Sequence, residues 1–216
     1  MKKEIYSKKQ SYKFVIEDEK LNAIYLGPTY ESIKEDVIIL PDCVKIVCKN
    51  AFSYCHPETI QKIVLPSSIE KIENGAFHCF DGIFEIDNQC KACCFDSGIL
   101  YSFDKTRVIK ATKNVCKDNL IIPEGVIEVG KMAFYELHIK SVLLPNSLLV
   151  IEDCAFFNCD LHSVSFPENL KRIENDAFAL NCIEKIFIPE NCTSVSKSAF
   201  DYNCIININV DVNKKK

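Results

Sequence analysis

No stretch of the chain is long and apolar enough to cross a bilayer as a helix, which takes about 20 consecutive apolar residues. The expectation is a soluble protein with no membrane insertion. The opening residues, Met1-Lys2-Lys3-Glu4-Ile5-Tyr6-Ser7-Lys8-Lys9-Gln10, carry the charge of a secretory leader but no apolar segment behind it. On the sequence as given, cytoplasmic is the default location. A basic surface is missing as well: the formal net charge is −4, lysines and glutamates are interspersed, and the only basic run is Lys214-Lys215-Lys216. Three lysines do not line a nucleic-acid groove, so no nucleic-acid partner is expected. None of the four histidines, His56, His78, His138 and His162, stands at a catalytic spacing from a carboxylate or nucleophile. A thiol–imidazole pair of Cys79 with His78 is the nearest thing to one, and solvated loop side chains are the simpler account. The chain does not read as an enzyme.

What the chain does have is a repeat. Pro123, Pro145, Pro167 and Pro189 stand 22 apart, and Pro41 and Pro66 open two earlier copies 25 apart. Ten residues after each comes Ala-Phe: Ala51-Phe52, Ala76-Phe77, Ala133-Phe134, Ala155-Phe156, Ala177-Phe178 and Ala199-Phe200. A fixed period of this length marks a solenoid, whose units are too small to bury an apolar face alone and must stack.

Within a copy, the residues three and one before the proline are apolar, as in Ile38/Leu40, Ile63/Leu65 and Ile186/Ile188. Period two means a short strand with one buried face, which proline closes because it has no N–H to donate. Apolar residues return three and six after the proline (Val44/Val47, Leu170/Ile173), the spacing of a second extended segment. Asn74, Asp153 and Asn175 precede Ala-Phe and read as N-caps of a short helical turn. The alanine lets successive coils approach, and the six phenylalanines are expected to stack as a ladder with offset or edge-on contacts. Ile60, Ile139, Leu161, Ile183 and Ile205 bring the chain back to the core.

The pattern I-x-I-P-x-x-V-x-x-I-x-x-x-A-F-x-x-C-x-x-L resembles the BspA-type (Treponema-like) leucine-rich repeat family over most of the chain. The resemblance implies a leucine-rich-repeat-like right-handed solenoid, of the α/β repeat class but rich in β and short helical turns. It also implies binding of proteins or cell-surface ligands, in bacteria and some protists, with a surface or secreted location that competes with the cytoplasmic default. It brings no catalytic residues and no cofactor.

We read one domain over 1–216, with a size that lets roughly 70% of the extended surface be buried. Residues 1–36 form an N-terminal cap, in which 14–16 and 21–26 are two strands of a hairpin over the open end of the first coil. Repeats one and two fill 37–80. A diverted coil, 81–119, carries a second hairpin of 98–103 and 107–110, so the chain reads as a hairpin-plus-coils module written twice. Repeats three to six fill 120–206. A closing strand with Ile208 and Val210 in register, then Asp211 in place of proline, occupies 207–216.

Two sets of residues are candidates for function. The outward strand positions two before the proline, Ile39, Val64, Ile121, Leu143 and Phe187, are apolar in five copies of six, with Ser165 the exception. Stacked at a strand spacing of about 4.8 Å they form an apolar stripe, the mark of a partner surface. The alternative is that the hairpins fold over them, or that β-branched residues serve strand propensity only. The other set is Cys90-Lys91-Ala92-Cys93-Cys94 with Cys116, whose C-x-x-C spacing suits a metal or redox centre but lacks the standard second pair. Of the 13 cysteines, Cys55, Cys79, Cys159, Cys182 and Cys204 fall in the slot that follows Ala-Phe and read as small core fillers. The odd total favours reduced thiols.

Overall fold

The structure, a computed structural model, describes residues 1–9, 11–27, 36–54, 60–115, 118–202 and 204–208. Cys55, His56, Cys116, Val210 and Asp211 of the sequence analysis lie outside that set. The chain divides into two compact units: Met1–Asp104 with Ile109–Asn114, and Lys105–Val108 with Val115–Lys216.

Unit 1 opens with β1 (Lys2–Tyr6), β2 (Tyr12–Glu17) and β3 (Lys20–Leu26) as an antiparallel meander. The sequence points to two strands here, and the third is made from the lysine-rich start. In the first coil come β4 (Val37–Ile39) and β5 (Ile46–Val47), and in the second β6 (Lys62–Leu65) and β7 (Lys71–Ile72). The meander hands over to the coils where β3 pairs in parallel with β5, Leu21 opposite Val47. Next, β8 (Ile83–Ile86) continues a parallel sheet in the order β4-β6-β8. The diverted segment holds β9 (Cys93–Asp96), β10 (Ile99–Ser102) and β11 (Arg107–Ala111), the first two antiparallel around a turn at Ser97-Gly98. Strand β9 is hidden in the sequence because its cysteines read as ligands rather than as strand residues.

Unit 2 repeats the hand-over. Arg107 and Val108 of β11 pair in parallel with Glu128 and Val129 of β13 (Glu128–Val129), which follows β12 (Leu120–Ile121). Then come β14 (Val142–Leu143), β15 (Val150–Ile151), β16 (Arg172–Ile173), β17 (Lys185–Ile188), β18 (Ser194–Val195) and β19 (Ile205–Ile208). The ladder β13-β15-β16-β18 advances by one repeat period per rung, Val129 opposite Ile151, Ile151 opposite Ile173, Ile173 opposite Val195. The outer strands pair as β12 with β14 and β17 with β19.

Each proline ends its strand in the same turn. The N–H three residues on donates to the proline carbonyl in all six copies, from Val44 to Pro41 at 2.9 Å through Cys192 to Pro189 at 2.9 Å. Lacking an N–H, proline leaves no donor stranded at the strand end, while its carbonyl anchors the reversal.

The Ala-Phe segment differs from the expected helical turn. Residues just before the alanine have positive φ: Asn50, Gly75, Met132, Cys154 and Asp176. A left-handed residue at this point keeps the chain from continuing as a helix, and N–H groups of the segment point along the solenoid instead. Consequently Met132, Phe134 and Glu136 donate to Asp153, Ala155 and Phe157 of the next coil, and Cys154, Phe156 and Asn158 donate to Asn175, Ala177 and Ala179. These backbone donors are satisfied sideways rather than locally.

Both cores form around the recurring aromatic. In unit 2, Phe134, Phe156, Phe178 and Phe200 stack nearly parallel, with centroid separations of 4.8, 5.2 and 5.5 Å. In unit 1, Phe52 and Phe77 lie 5.0 Å apart at 48°. The alanines beside these rings are buried throughout, as are Ile60, Ile139, Leu161 and Ile183.

Candidate interaction surface

On the outer face of each unit, the strand alternation that buries Ile38, Ile63, Leu120 and Ile186 turns their neighbours outward. Ile39 is 63% exposed, Ile121 64%, Leu143 63% and Phe187 50%, while Val64 is half-buried. In unit 1 the turn between β1 and β2, Ser7 to Lys9, lines a hollow together with Ile39. In unit 1, Ile39 stands opposite Val64 and Val64 opposite Glu85, so a carboxylate follows the two apolar rungs. In unit 2, Ile121 stands opposite Leu143, and Phe187 opposite Asn207, with the exposed Ser165 between Leu143 and Phe187. Ser163–Phe166 forms no strand, and Phe166 is half-buried where its counterparts Leu40, Leu65, Ile122, Leu144 and Ile188 are buried. Its ring is the largest in that position and sits edge-on to Phe178 at 5.4 Å.

The charges around the unit 2 face are arranged by the same period. Lys140 pairs with Asp118 at 2.8 Å, holding that carboxyl below the usual range and raising the lysine. The Lys185 ammonium lies over the Phe187 ring, 4.9 Å from its centroid. Just past the prolines, Glu124, Asn146, Glu168 and Glu190 are all exposed.

Of the described cysteines in the cluster, Cys90 and Cys93 stay beside one another, while Cys94 turns away from them. Cys93 and Cys94 are successive residues of β9, so their side chains leave on opposite faces and do not converge on one ion. Cys90 and Cys93 are buried, and Cys94 directs its thiol at the Ser102 carbonyl, 3.6 Å away. Burial, and then the adjacent Cys90, push the Cys93 thiol far above its ordinary value, away from the thiolate that metals and nucleophilic chemistry need. Among the described residues, no group of three or more His, Cys, Asp or Glu side chains is placed to hold a metal ion.

The filler reading of the repeat cysteines needs correction. Cys159 is buried, but Cys79 and Cys182 are exposed and Cys204 is half-buried. The slot spans three successive residues, and only the middle one points inward; Phe80, Leu137 and Cys159 occupy it and are buried. In the fifth copy that middle position is Asn181, which nothing in the repeat pattern singles out. Its side-chain amide donates to the carbonyls of Phe156 and Phe178, both at 2.8 Å, and its oxygen accepts from the Leu161 and Cys159 N–H groups at 2.9 and 3.2 Å. It clips two coils together. His138 sits 2.9 Å from Asp160 one coil on, and His162 reaches the Asp160 carbonyl, both on the exposed turn side. His78 turns to the Gly75 carbonyl at 3.1 Å. No helix among the described residues is long and apolar enough to cross a membrane.

A family model described as the BspA type leucine-rich repeat region, in 6 copies, matches residues 28–117 and 111–216. Among solved structures, the chain is similar to a leucine-rich cell surface protein from Faecalibacterium prausnitzii, with 21% identity and a TM-score of 0.64. It is also similar to the pneumococcal vaccine antigen PcpA, at 17% identity and TM-score 0.59, and to a leucine-rich repeat protein from Eubacterium ventriosum, at 18% and 0.54. These alignments take in 82, 81 and 80% of this chain but 60, 57 and 42% of the others, so the chain spans only part of their length. No protein of curated annotation matches it.

Proposed function

The chain belongs to the BspA-type leucine-rich repeat family, and we propose that it is a non-catalytic protein–protein interaction scaffold, adhesin-like in role, that engages a protein or cell-surface ligand. The observation that carries this reading is the exposure of Ile121, Leu143 and Phe187 on the outer face of unit 2. Three large apolar side chains held in water by a rigid frame supply no stability there, and such side chains act as anchors when a partner desolvates them. Ile39 and Val64 play the same part on unit 1. The Faecalibacterium protein is described as a cell surface protein and PcpA as a vaccine antigen, which supports a location at the cell surface.

The test is the double variant L143S/F187S. Circular dichroism and the melting curve should match the parent. Capture of a partner, identified by cross-linking and then reconstituted with the purified partner, should be lost. A large drop in melting temperature would show that these side chains belong to the core and remove the surface from consideration.

A further inference from the structure

Resting on the interaction reading above, we infer that the unit 2 face takes a basic amphipathic polypeptide segment, one that sets a row of apolar side chains beside a row of lysines or arginines. Two parallel rows on the face point to this. The first is the row two before the proline, Ile121, Leu143 and Phe187, apolar except for Ser165 between the last two. The second runs one residue past the proline, through the exposed Glu124, Glu168 and Glu190, with Asn146 as the neutral member. The rows lie three residues apart, from the strand into the proline turn, a span of at most roughly 10 Å, which is about the width of a helix.

The charge balance across the face is one-sided. On the far flank, Asp118, Lys140, Glu184 and Lys185 sum to zero, with Lys140 engaged by Asp118 and Lys185 by the Phe187 ring. The row past the prolines contributes three carboxylates and no cation. Neither Glu124 nor Glu168 belongs to an ion pair among the described residues, and the Glu124 carboxylate accepts only from the Asn146 backbone and side-chain amides, at 2.9 and 3.4 Å. An anionic partner, whether an acidic peptide, nucleic acid or an anionic lipid surface, meets repulsion there. A partner with apolar and basic rows meets matching surface on both.

The rung spacing suits such a partner. Successive coils repeat at about 4.8 Å, close to the 5.4 Å pitch of an α-helix laid along the same direction, so side chains one turn apart fall near successive rungs.

The experiment uses the full chain and a labelled synthetic amphipathic helix of leucines and lysines, with a matched helix in which glutamates replace the lysines. Fluorescence anisotropy at low and high salt reads the affinity. The expected result is that the lysine helix binds at least about tenfold more tightly than the glutamate helix at low salt, and that added salt erodes the difference. The preference should collapse in E124Q/E168Q/E190Q, whose fold is checked by its melting curve, and binding should vanish in L143S/F187S. Equal binding of both helices that still requires Leu143 and Phe187 would overturn the charge inference while leaving the interaction reading standing. Binding that persists in L143S/F187S would overturn both. Failure of the lysine helix to bind at all would overturn the inference of a basic partner.

Discussion

Unit 1 and unit 2 are written in the same repeat, yet their aromatic interiors differ. In unit 2 the prolines keep a constant interval of 22, and the four phenylalanines stack within 3 to 11° of parallel. In unit 1 the prolines are 25 apart, with three additional residues between Phe52 and Ile60, and the two rings tilt by 48°. Phe77 there also meets Phe84 edge-on at 70°, and Phe84 meets Phe80 at 77°. Unit 2 keeps its parallel stack even where Phe166 meets Phe178 edge-on, so an edge-on neighbour alone does not tilt the column. The constant interval goes with the ladder, and the longer interval of unit 1 goes with the herringbone. The same residue thus acquires a different packing from its surroundings alone.

The sharpest way to break the comparison is Phe156→Ala. Fully buried between two parallel rings, it should cost about 3–5 kcal/mol in denaturant unfolding, because coils fixed by hydrogen-bonded ladders cannot close on the cavity. A cost below that of Phe77→Ala would mean that the parallel stack is not the better-packed of the two. Next in size is Asn181→Leu, which places an apolar residue where unit 1 has Phe80. Stranding the Leu161 and Cys159 N–H groups and two carbonyls should cost about 1–3 kcal/mol, and a neutral outcome would show that the clip is dispensable.

A smaller effect of opposite sign is expected at Cys154. Its φ is 54°, and the same position in unit 1 holds Asn50 at 61° and Gly75 at 74°. Cys154→Asn should raise stability by about 0.5–1 kcal/mol, read as an upward shift in melting temperature. Glu152 gives a pH signature special to unit 2. Burial, and then the neighbouring Glu128, raise its carboxyl above the usual range, against the lowering effect of Arg172. A raised acid contributes stability that is present below the ordinary carboxylate pKa and lost as pH rises through the raised one. The melting temperature of Glu152→Gln relative to the parent should therefore climb between pH 4 and 7; a flat difference would contradict the shift. Smallest of all, His162→Ala on the exposed turn side should change stability by less than about 0.5 kcal/mol.

Much of this architecture is legible in the sequence, and the reasons are local. Proline at a strand end, apolar residues at −3, −1, +3 and +6, and Ala-Phe at +10 each depend on chemistry within one coil. The outward positions Ile39, Ile121, Leu143 and Phe187 follow from period two. Three things are not legible there. The turn before Ala-Phe looks like a capped helix because Asp153 and Asn175 are good N-caps, whereas the left-handed residue after them sends the hydrogen bonds to the next coil. Cys93 and Cys94 look like ligands because spacing says nothing about which side of a strand a thiol leaves by. Asn181 looks like any loop polar residue, since its partners lie one coil away.

The period, the proline turn that ends each repeat strand, the buried aromatic and the outward apolar residues are written into the chain, because each is set by the preferences of a few neighbouring residues. The ring geometry in each unit, the sideways bonding of the turns, the fate of the cysteines and the rows of charge beside the apolar face emerge only once the coils are assembled. Those depend on which residues stack one period apart, and stacking is a property that no single copy contains.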